Sequence, residues 1–248
     1  MRHIPPFGQK NFEATRWIDN CYNISQNKHE MKSNIKSLVL FSGGMDSTIC
    51  LLLAIEKYGQ DSVIALSFIT GHKKKKSVEV GKITCQKLGV KHYIFDVRFL
   101  NKMAGETVIE GRNLFFMSFA VLYAKRHNVK NIYFGICNCD SGTSLHNDHT
   151  KRFVYKGENF INYCISTDVV WHTPLINLSK EQLWELVDIR GKLEFVNENS
   201  YSCWSNSEKP CMECRACKLR EEGLRRYLDA KRKKCNYQGV MGRHRVRS

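Results

Sequence analysis

The chain has 248 residues, of which 42% are hydrophobic and 25% are charged. A chain of this length can bury a substantial core, and its sequence contains no apolar run long enough to span a bilayer. Lysine and arginine exceed aspartate and glutamate by 39 − 24 = 15, an excess that favours polyanionic partners such as nucleotides or RNA. The 11 cysteines are clustered and odd in number, which argues against a secreted disulfide scaffold. We therefore expect a cytoplasmic protein that is not bound to a membrane.

The chain divides by composition into four segments. Residues 1–36 are polar and irregular, and we interpret them as an N-terminal extension. From Ser37 onwards, short apolar runs alternate with amphipathic stretches, a pattern typical of a doubly wound parallel sheet with crossover helices. The predicted strands are Ser37–Phe41, Ser62–Phe68, His92–Val97, Asn131–Ile136 and Val169–Trp171. The predicted helices are Asp46–Tyr58, Ser77–Leu88, Arg112–His127 and Ser179–Arg190. We assign residues 37–200 to an α/β domain, 201–230 to a metal-binding segment and 231–248 to a basic tail.

A small, polar turn separates the first predicted strand from the first predicted helix. Its residues are Ser42, Gly43, Gly44, Met45, Asp46 and Ser47. Backbone N–H groups converge at such a turn, and the start of a helix adds partial positive charge, so the turn suits a phosphate. Hydroxyls add further donors, and the aspartate can act as an indirect partner for Mg²⁺. The alternative is an ordinary glycine turn capped by serine. The pattern is similar to the pyrophosphate loop of the N-type ATP pyrophosphatases, which implies that ATP is cleaved to AMP and pyrophosphate.

In a doubly wound sheet, ligands bind beyond the carboxyl ends of the strands, beside the point where the strand order reverses. This rule brings four segments together. They are Ser42–Ser47, Ile69–Lys76, the residues before Arg112, and Cys137–His149. We therefore predict the nucleotide site at this edge.

Four cysteines near the C-terminus form a second constellation. Cys203, Cys211, Cys214 and Cys217 follow the spacing C-x7-C-x2-C-x2-C. Four thiolates without a fifth donor suit tetrahedral Zn²⁺ in a closed, structural site. An iron–sulfur cluster would use the same ligands, and four unligated thiols are the remaining alternative.

Further motifs lie in order between the phosphate-binding turn and the cysteines. They are Gly111-Arg112-Asn113, Gly135-Ile136-Cys137, Thr173-Pro174-Leu175 and Gly191-Lys192-Leu193-Glu194. The whole series, from Ser37 to Leu228, resembles the QueC family. The resemblance implies that 7-carboxy-7-deazaguanine is adenylated by ATP and that ammonia gives first an amide and then the nitrile, 7-cyano-7-deazaguanine. It also implies Mg²⁺, Zn²⁺ and a homodimer.

The resemblance assigns roles to particular residues. Ser42, Asp46, Ser47 and Arg112 would be catalytic, and Ser42, Gly43, Gly44, Met45, Asp46, Ser47, Gly111, Arg112 and Asn113 would bind the nucleotide. Cys203, Cys211, Cys214 and Cys217 would hold the zinc.

The sequence departs from the family pattern at three places around the expected mouth of the site. They are Ile69–Lys74, Asn138–His149 and Glu110. Because these departures are gathered at the mouth, they suggest an altered second substrate. Three functions therefore stay open. In the first, the amine acceptor is ammonia. In the second, it is a protein or peptide amine that yields a deazaguanine conjugate, as in an anti-phage or conflict system. The third is a zinc-containing RNA-binding or tRNA-modifying protein whose basic tail contacts phosphates, although a solvated tail is the simpler interpretation.

Overall fold

The computed structural model describes residues 34–71, 75–100, 111–137, 147–205 and 207–244. All elements below belong to the unit Ile35–Ser248. The N-terminal extension up to residue 33, Glu110 and the loop 138–146 lie outside the described residues, as do residues 72–74. The predictions that concern them are therefore not tested.

Five strands form a single parallel sheet. They are β1 (Ser37–Leu40), β2 (Val63–Ile69), β3 (Lys91–Asp96), β4 (Asn131–Phe134) and β5 (Val170–His172). Their order is β3-β2-β1-β4-β5, and each neighbouring pair is parallel. The chain moves outwards from β1 to β3 and then returns to the other side of β1, so the strand order reverses between β1 and β4. The predicted doubly wound α/β fold is confirmed, and every predicted strand is present.

Seven α-helices are found among the described residues. They are α1 (Met45–Tyr58), α2 (Lys75–Leu88), α3 (Arg112–Arg126), α4 (Lys151–Ile165), α5 (Lys180–Ile189), α6 (Leu193–Glu198) and α7 (Arg215–His244). The four predicted helices correspond to α1, α2, α3 and α5, while α4, α6 and α7 were not predicted. In the described part of the chain, no helix combines the length and the apolar character needed to cross a membrane.

Two buried clusters cover the two faces of the sheet. One contains Val39 and Ala65 with residues of α1, α5 and α6, and α7 contributes Tyr227. The other contains Leu38 and Ile64 with residues of α3 and α4. Side chains alternate between the two faces along each strand, so neighbouring residues of β1 enter different clusters. The result is a sheet with helices on both sides, whose carboxyl edge is left for ligands.

The C-terminal helix differs most from the sequence expectation. The helix α7 runs from Arg215 to His244, so it continues through most of the segment that the sequence suggested was a basic tail. Several of its basic side chains form ion pairs, including Lys231 with Asp188 at 2.5 Å and Lys234 with Glu185 at 3.5 Å. The charge of this segment is therefore partly compensated by α5.

Candidate active site

The phosphate loop, Ser42–Ser47, lies at the reversal point of the sheet. It follows β1 directly, and its last three residues form the first turn of α1. Gly44 caps this helix in an extended conformation and without a side-chain hydrogen bond, so the helix relies on partners from elsewhere for its first N–H groups. This placement is the one expected for an anion site at the start of a helix.

Two glycines allow the backbone around the loop to approach closely. Gly43 has a φ of +76°, and a Cβ there would lie 1.9 Å from the carbonyl oxygen of Ser77 in α2. A Cβ on Gly135, just after β4, would lie 2.8 Å from the backbone nitrogen of Ser47. Glycine is required at both positions because a larger residue would push α2 or the start of α1 away from the loop.

The hydroxyls of the loop are organised by its own backbone. The Ser47 hydroxyl donates to the Gly44 carbonyl at 3.0 Å and accepts from the Ser42 N–H at 3.1 Å. The two hydroxyl oxygens of Ser42 and Ser47 are 3.1 Å apart, and the Gly44 N–H points to Ser42 Oγ at 3.3 Å. The loop therefore has its turn shape fixed before any ligand binds, which reduces the cost of ordering it.

Asp46 is engaged by a lysine that the sequence analysis did not identify. Lys180 Nζ lies 2.9 Å from Oδ1 and 2.8 Å from Oδ2 of Asp46, and the two side chains are only 12% and 16% exposed. The lysine stem packs on α7, where a Cβ on Gly223 would lie 2.6 Å from Lys180 Cβ. Lys180 is the first residue of α5, a position where the helix dipole disfavours a positive charge. A lysine at this unfavourable position could have indicated from the sequence that Lys180 has a partner elsewhere in the fold.

Arg112 and Asn113 open α3, as the Gly-Arg-Asn motif predicted. Gly111 caps the helix in the left-handed region with a φ of +70°. The Asn113 side chain donates to the Asp148 carbonyl at 3.2 Å. Burial lowers the pKa of Arg112, and the Asp148 carboxylate opposes this shift. The Arg112 Nε is buried without a hydrogen-bond partner among the described residues, so this guanidinium has unused donor capacity.

An aromatic stack continues from Arg112 towards the sheet. The guanidinium carbon lies 5.8 Å from the centre of the Phe116 ring, and Phe116 stacks on Phe68 at 4.5 Å with an interplanar angle of 6°. Phe68 belongs to the end of β2, and the pairing of Leu40 with Leu66 places it at the level of Ser42. The stack therefore lies at the same edge of the sheet as the phosphate loop, one strand away.

The predicted metal ligands converge in the cysteine segment, Tyr201–Cys217. The Sγ atoms of Cys203, Cys211, Cys214 and Cys217 all lie within 4.8 Å of one another. Backbone N–H groups point to two of these sulfurs, from Cys211 to Cys203 at 3.3 Å and from Cys214 to Cys211 at 3.3 Å. Four convergent sulfurs with N–H donors around them fit a soft, tetrahedrally coordinated ion.

The thiols of this cluster differ in acidity. Burial opposes ionisation of Cys203, but hydrogen bonds from the Cys211 and Ser205 N–H groups prevail and lower its pKa to about 5. Burial together with a hydrogen bond to Cys214 raises the pKa of Cys217 to about 12. A cation bound between them would favour the thiolate form of each cysteine, because metal binding competes with protons for the sulfur.

The cysteine segment contacts the phosphate loop directly, which the sequence analysis did not foresee. The Tyr201 N–H donates to the Gly43 carbonyl at 2.8 Å, and the Met45 N–H donates to Ser202 Oγ at 3.2 Å. Arg220 of α7 donates to the Ser200 carbonyl at 3.1 Å and to the Ser200 hydroxyl at 2.9 Å. The structure thus brings two predicted sites together.

A parallel sheet with a phosphate loop at its reversal point, joined to a four-cysteine cluster, defines an α/β protein of the pyrophosphate-loop class. The family profile described as "Queuosine biosynthesis protein QueC" matches residues 36–111 and 102–228. The chain belongs to the QueC family, which confirms the resemblance noted in its sequence, and it is an enzyme of the ATP-dependent ligase type.

Two curated relatives support this assignment, and a solved structure with low sequence identity is also similar. The chain is 36% identical over 213 residues to the 7-cyano-7-deazaguanine synthase of Lysinibacillus sphaericus (strain C3-41), covering 78% of this chain and 95% of the relative. It is 35% identical over 212 residues to the protein of the same name from Bacillus subtilis (strain 168), again covering 78% and 95%. Among solved structures, the NH3-dependent NAD synthetase of Campylobacter jejuni subsp. jejuni NCTC 11168 is 15% identical, with a TM-score of 0.47 over 89% of this chain and 95% of that chain.

Proposed function

We propose that this protein is a 7-cyano-7-deazaguanine synthase. It uses ATP to activate the carboxylate of 7-carboxy-7-deazaguanine as an acyl-adenylate, with release of pyrophosphate. Ammonia then displaces AMP to give the amide. A second adenylation on the amide oxygen, followed by loss of AMP, leaves the nitrile. The observation that carries this proposal is the preformed phosphate loop at the reversal point of the sheet, in a chain that belongs to the QueC family.

The phosphate loop is suited to hold the leaving pyrophosphate. The carboxylate oxygen of the substrate attacks the α-phosphorus, and negative charge accumulates on the pyrophosphate as its bond to that phosphorus breaks. The N–H groups at the start of α1 are positioned by the loop itself and are suited to stabilise this charge. The hydroxyls of Ser42 and Ser47 can add donors once their hydrogens turn from the acceptors within the loop to the phosphate. The chain contributes orientation and charge, while ATP supplies the driving force.

Asp46 and Lys180 form an ion pair that ATP would rearrange. Lys180 Nζ lies within hydrogen-bond distance of both Asp46 oxygens, and the pair is mostly buried. When phosphates enter, the ammonium can turn towards them and release one carboxylate oxygen. Oxygen ligands of this kind suit Mg²⁺, which when bound would neutralise charge on the pyrophosphate. Asp46 is thus the residue that would hold the ion.

The deazaguanine ring is assigned to the aromatic stack of Phe68 and Phe116. A planar heterocycle gains from stacking on such rings, and Arg112 lies beside them with an Nε that lacks a partner among the described residues. A guanidinium can pair with the carboxylate of the substrate through two N–H donors. This arrangement would bind the acid at the edge of the sheet where the phosphate loop also lies.

The four cysteines would hold Zn²⁺ in a structural role. Four cysteine sulfurs would complete the preferred ligand set of the ion and leave no position for a substrate. The ion would stabilise the cysteine segment and, through it, the contacts with the phosphate loop.

Pyrophosphate release tests the proposed activity. The protein is incubated with ATP, Mg²⁺ and 7-carboxy-7-deazaguanine, and we expect pyrophosphate only when the acid is present. With ammonium added, mass spectrometry should detect the nitrile. Absence of acid-dependent pyrophosphate would exclude both steps.

A protein or peptide amine is the second candidate acceptor. It is favoured by the departures from the family pattern at Ile69–Lys74, Glu110 and Asn138–His149. A secondary amide formed with such an amine cannot be dehydrated to a nitrile, so this reaction stops at the conjugate. Failure to form nitrile from ammonia, combined with a mass increase on a candidate protein, would replace the first acceptor by the second.

The RNA-binding alternative receives less support. Its main argument was the basic tail, but Lys231 and Lys234 pair with acidic residues of α5 and Arg226 pairs with Glu222 within α7. Charges that are compensated in this way are less available to phosphates.

A further inference from the structure

The contact between the cysteine segment and the phosphate loop places a serine at the proposed nucleotide site. Ser202 Oγ accepts a hydrogen bond from the Met45 N–H at 3.2 Å, although 157 residues separate them in sequence. Met45 is the first residue of α1, so its N–H is one of the donors that a helix start offers to an anion. Ser202 therefore stands where a phosphate oxygen of ATP would approach.

The Ser202 hydroxyl accepts a hydrogen bond but does not donate one among the described residues. It accepts from Met45, and no acceptor for its own hydrogen is found among the described residues. The side chain is half-buried at the surface of the loop. A Cβ on Gly44 would lie 3.7 Å from Ser202 Oγ, so the absence of a side chain on Gly44 leaves this hydroxyl accessible from the loop. A serine in this state can accept from the backbone and donate to a phosphate oxygen at the same time.

The surroundings of Ser202 fix its position from both sides. Its predecessor Tyr201 donates its N–H to Gly43 at 2.8 Å and its hydroxyl to the Ser207 carbonyl at 2.7 Å. Its successor Cys203 is 3% exposed and belongs to the four-cysteine cluster. Upstream, Ser200 is held by the Arg220 guanidinium. The cysteine cluster thus sets where the serine hydroxyl lies relative to α1.

We propose that Ser202 is a phosphate-binding residue of the ATP site, delivered to the phosphate loop by the cysteine cluster. This inference rests on the proposed function, because it assigns a further ligand to the same nucleotide. It also gives the cysteine cluster a role in nucleotide binding: a bound metal would hold Cys203 and thereby preorganise the neighbouring hydroxyl. Preorganised donors bind a charged group more tightly because less ordering is needed on binding.

The test is the affinity for ATP in the presence of Mg²⁺, measured by calorimetry on the full chain without the deazaguanine acid. Ser202→Ala should weaken ATP binding about 10-fold, the effect of one hydrogen bond to a charged group. Its zinc content should stay the same as in the wild type. Ser202→Thr keeps the hydroxyl and should restore most of the affinity. Ser207→Ala is the matched control, because Ser207 lies in the same segment and its hydroxyl donates to the Lys209 carbonyl instead.

The outcomes separate this proposal from the proposed function. Absence of ATP binding by the wild type would overturn both. Equal ATP affinity of the wild type and Ser202→Ala would overturn the role of Ser202 alone, and tighter binding by the variant would identify Ser202 as a competitor for the Met45 N–H. If Ser202→Ala loses zinc, the isosteric variants Ser202→Thr and Ser202→Val are compared instead. We expect weaker ATP binding only for the valine variant. Equal ATP binding by the two variants would contradict the proposal.

Discussion

The phosphate loop and the cysteine segment contact each other, yet different forces hold them in place. The loop is shaped by close backbone packing, in which Gly43 meets α2 and Gly135 meets the start of α1. The buried cluster of the cysteine segment is small: Tyr201, Cys203 and Cys217, with Val80, Cys211 and Cys214 packed at its border. Backbone packing therefore accounts for most of the shape of the loop, whereas under the proposed function the cysteine segment would rely on Zn²⁺ bound by its thiols.

The largest expected effect comes from removing a thiol. Cys214→Ser should release the metal and destabilise the cysteine segment by about 5 kcal/mol, since structural zinc in small domains contributes on the order of 10 kcal/mol of binding free energy. Metal analysis and thermal unfolding measure the two effects. Cys164→Ser is the control, because Cys164 is a free, exposed cysteine outside the cluster. Unchanged metal content in Cys214→Ser would contradict the assignment of the cluster.

The second-largest expected effect is a loss of turnover in a variant that keeps its metal. Asp46→Asn should lower acid-dependent pyrophosphate release about 1,000-fold, which corresponds to about 4 kcal/mol of transition-state stabilisation. The variant also leaves Lys180, which is 12% exposed, without its carboxylate, so some stability is lost as well.

The double variant Asp46→Asn/Lys180→Gln distinguishes the two consequences. It removes both charges, so thermal stability should return towards that of the wild type while turnover stays low. Recovery of turnover in the double variant would instead mean that Asp46 serves only to neutralise Lys180.

Gly43→Ala tests the packing of the loop. The φ of +76° costs an alanine about 1–2 kcal/mol, and its Cβ would lie 1.9 Å from the Ser77 carbonyl oxygen, so the loop or α2 must shift. We expect pyrophosphate release to fall about 100-fold, equivalent to about 2.7 kcal/mol. Metal content should be unaffected.

Gly191→Ala is the matched control for this change. Gly191 has a φ of +63° and no atom within 4 Å of an added Cβ, so it carries the conformational strain without the overlap. Equal activity losses in the two variants would mean that strain, and not loop packing, causes the effect.

The sequence could predict the sheet and the phosphate loop because both are encoded locally. Each strand is a short apolar run, and the glycines and serines of the loop lie together in the chain. The helix α4 was not predicted although the sequence carries signals for it. Its buried residues Val154, Gly157 and Ile161 follow helical spacing, and Thr150 caps its start by accepting from the Phe153 N–H at 3.1 Å.

The contacts between distant segments could not be predicted in the same way. For Lys180 the sequence did contain a local clue, because a positive charge at the start of a helix is unfavourable. Ser202 had none, because its contact with Met45 depends on how the cysteine segment folds back over the sheet. The spacing of the cysteines indicates the candidate metal ligands. It does not indicate which distant residues the folded cysteine segment contacts.

The smallest expected effect is a pH dependence of protein stability that arises from His92, close to the phosphate loop. His92 Nε2 lies 2.6 Å from Ser67 Oγ, and the Ser67 hydroxyl donates to the Phe41 carbonyl, immediately before the loop. With that hydrogen committed, His92 donates through Nε2–H, and its buried Nδ1 has no hydrogen-bond partner among the described residues. Burial, together with the positive charge of Lys82, lowers the pKa of His92 to about 4.

This depressed pKa makes acid destabilise the folded protein. An unfolded histidine takes up a proton near pH 6.5, whereas folded His92 resists it until about pH 4. The unfolded state therefore binds more protons between these values, so stability is highest above pH 6.5 and falls as the pH decreases to 4. After allowance for partial exposure, the loss is about 2 kcal/mol. His92→Gln keeps a donor for Ser67 but does not titrate, so urea unfolding from pH 7 to 4 should have a dependence shallower by that amount. Protonation of the cysteine thiolates affects both proteins equally and cancels in the difference; identical pH profiles would show that the loop is supported without a neutral His92.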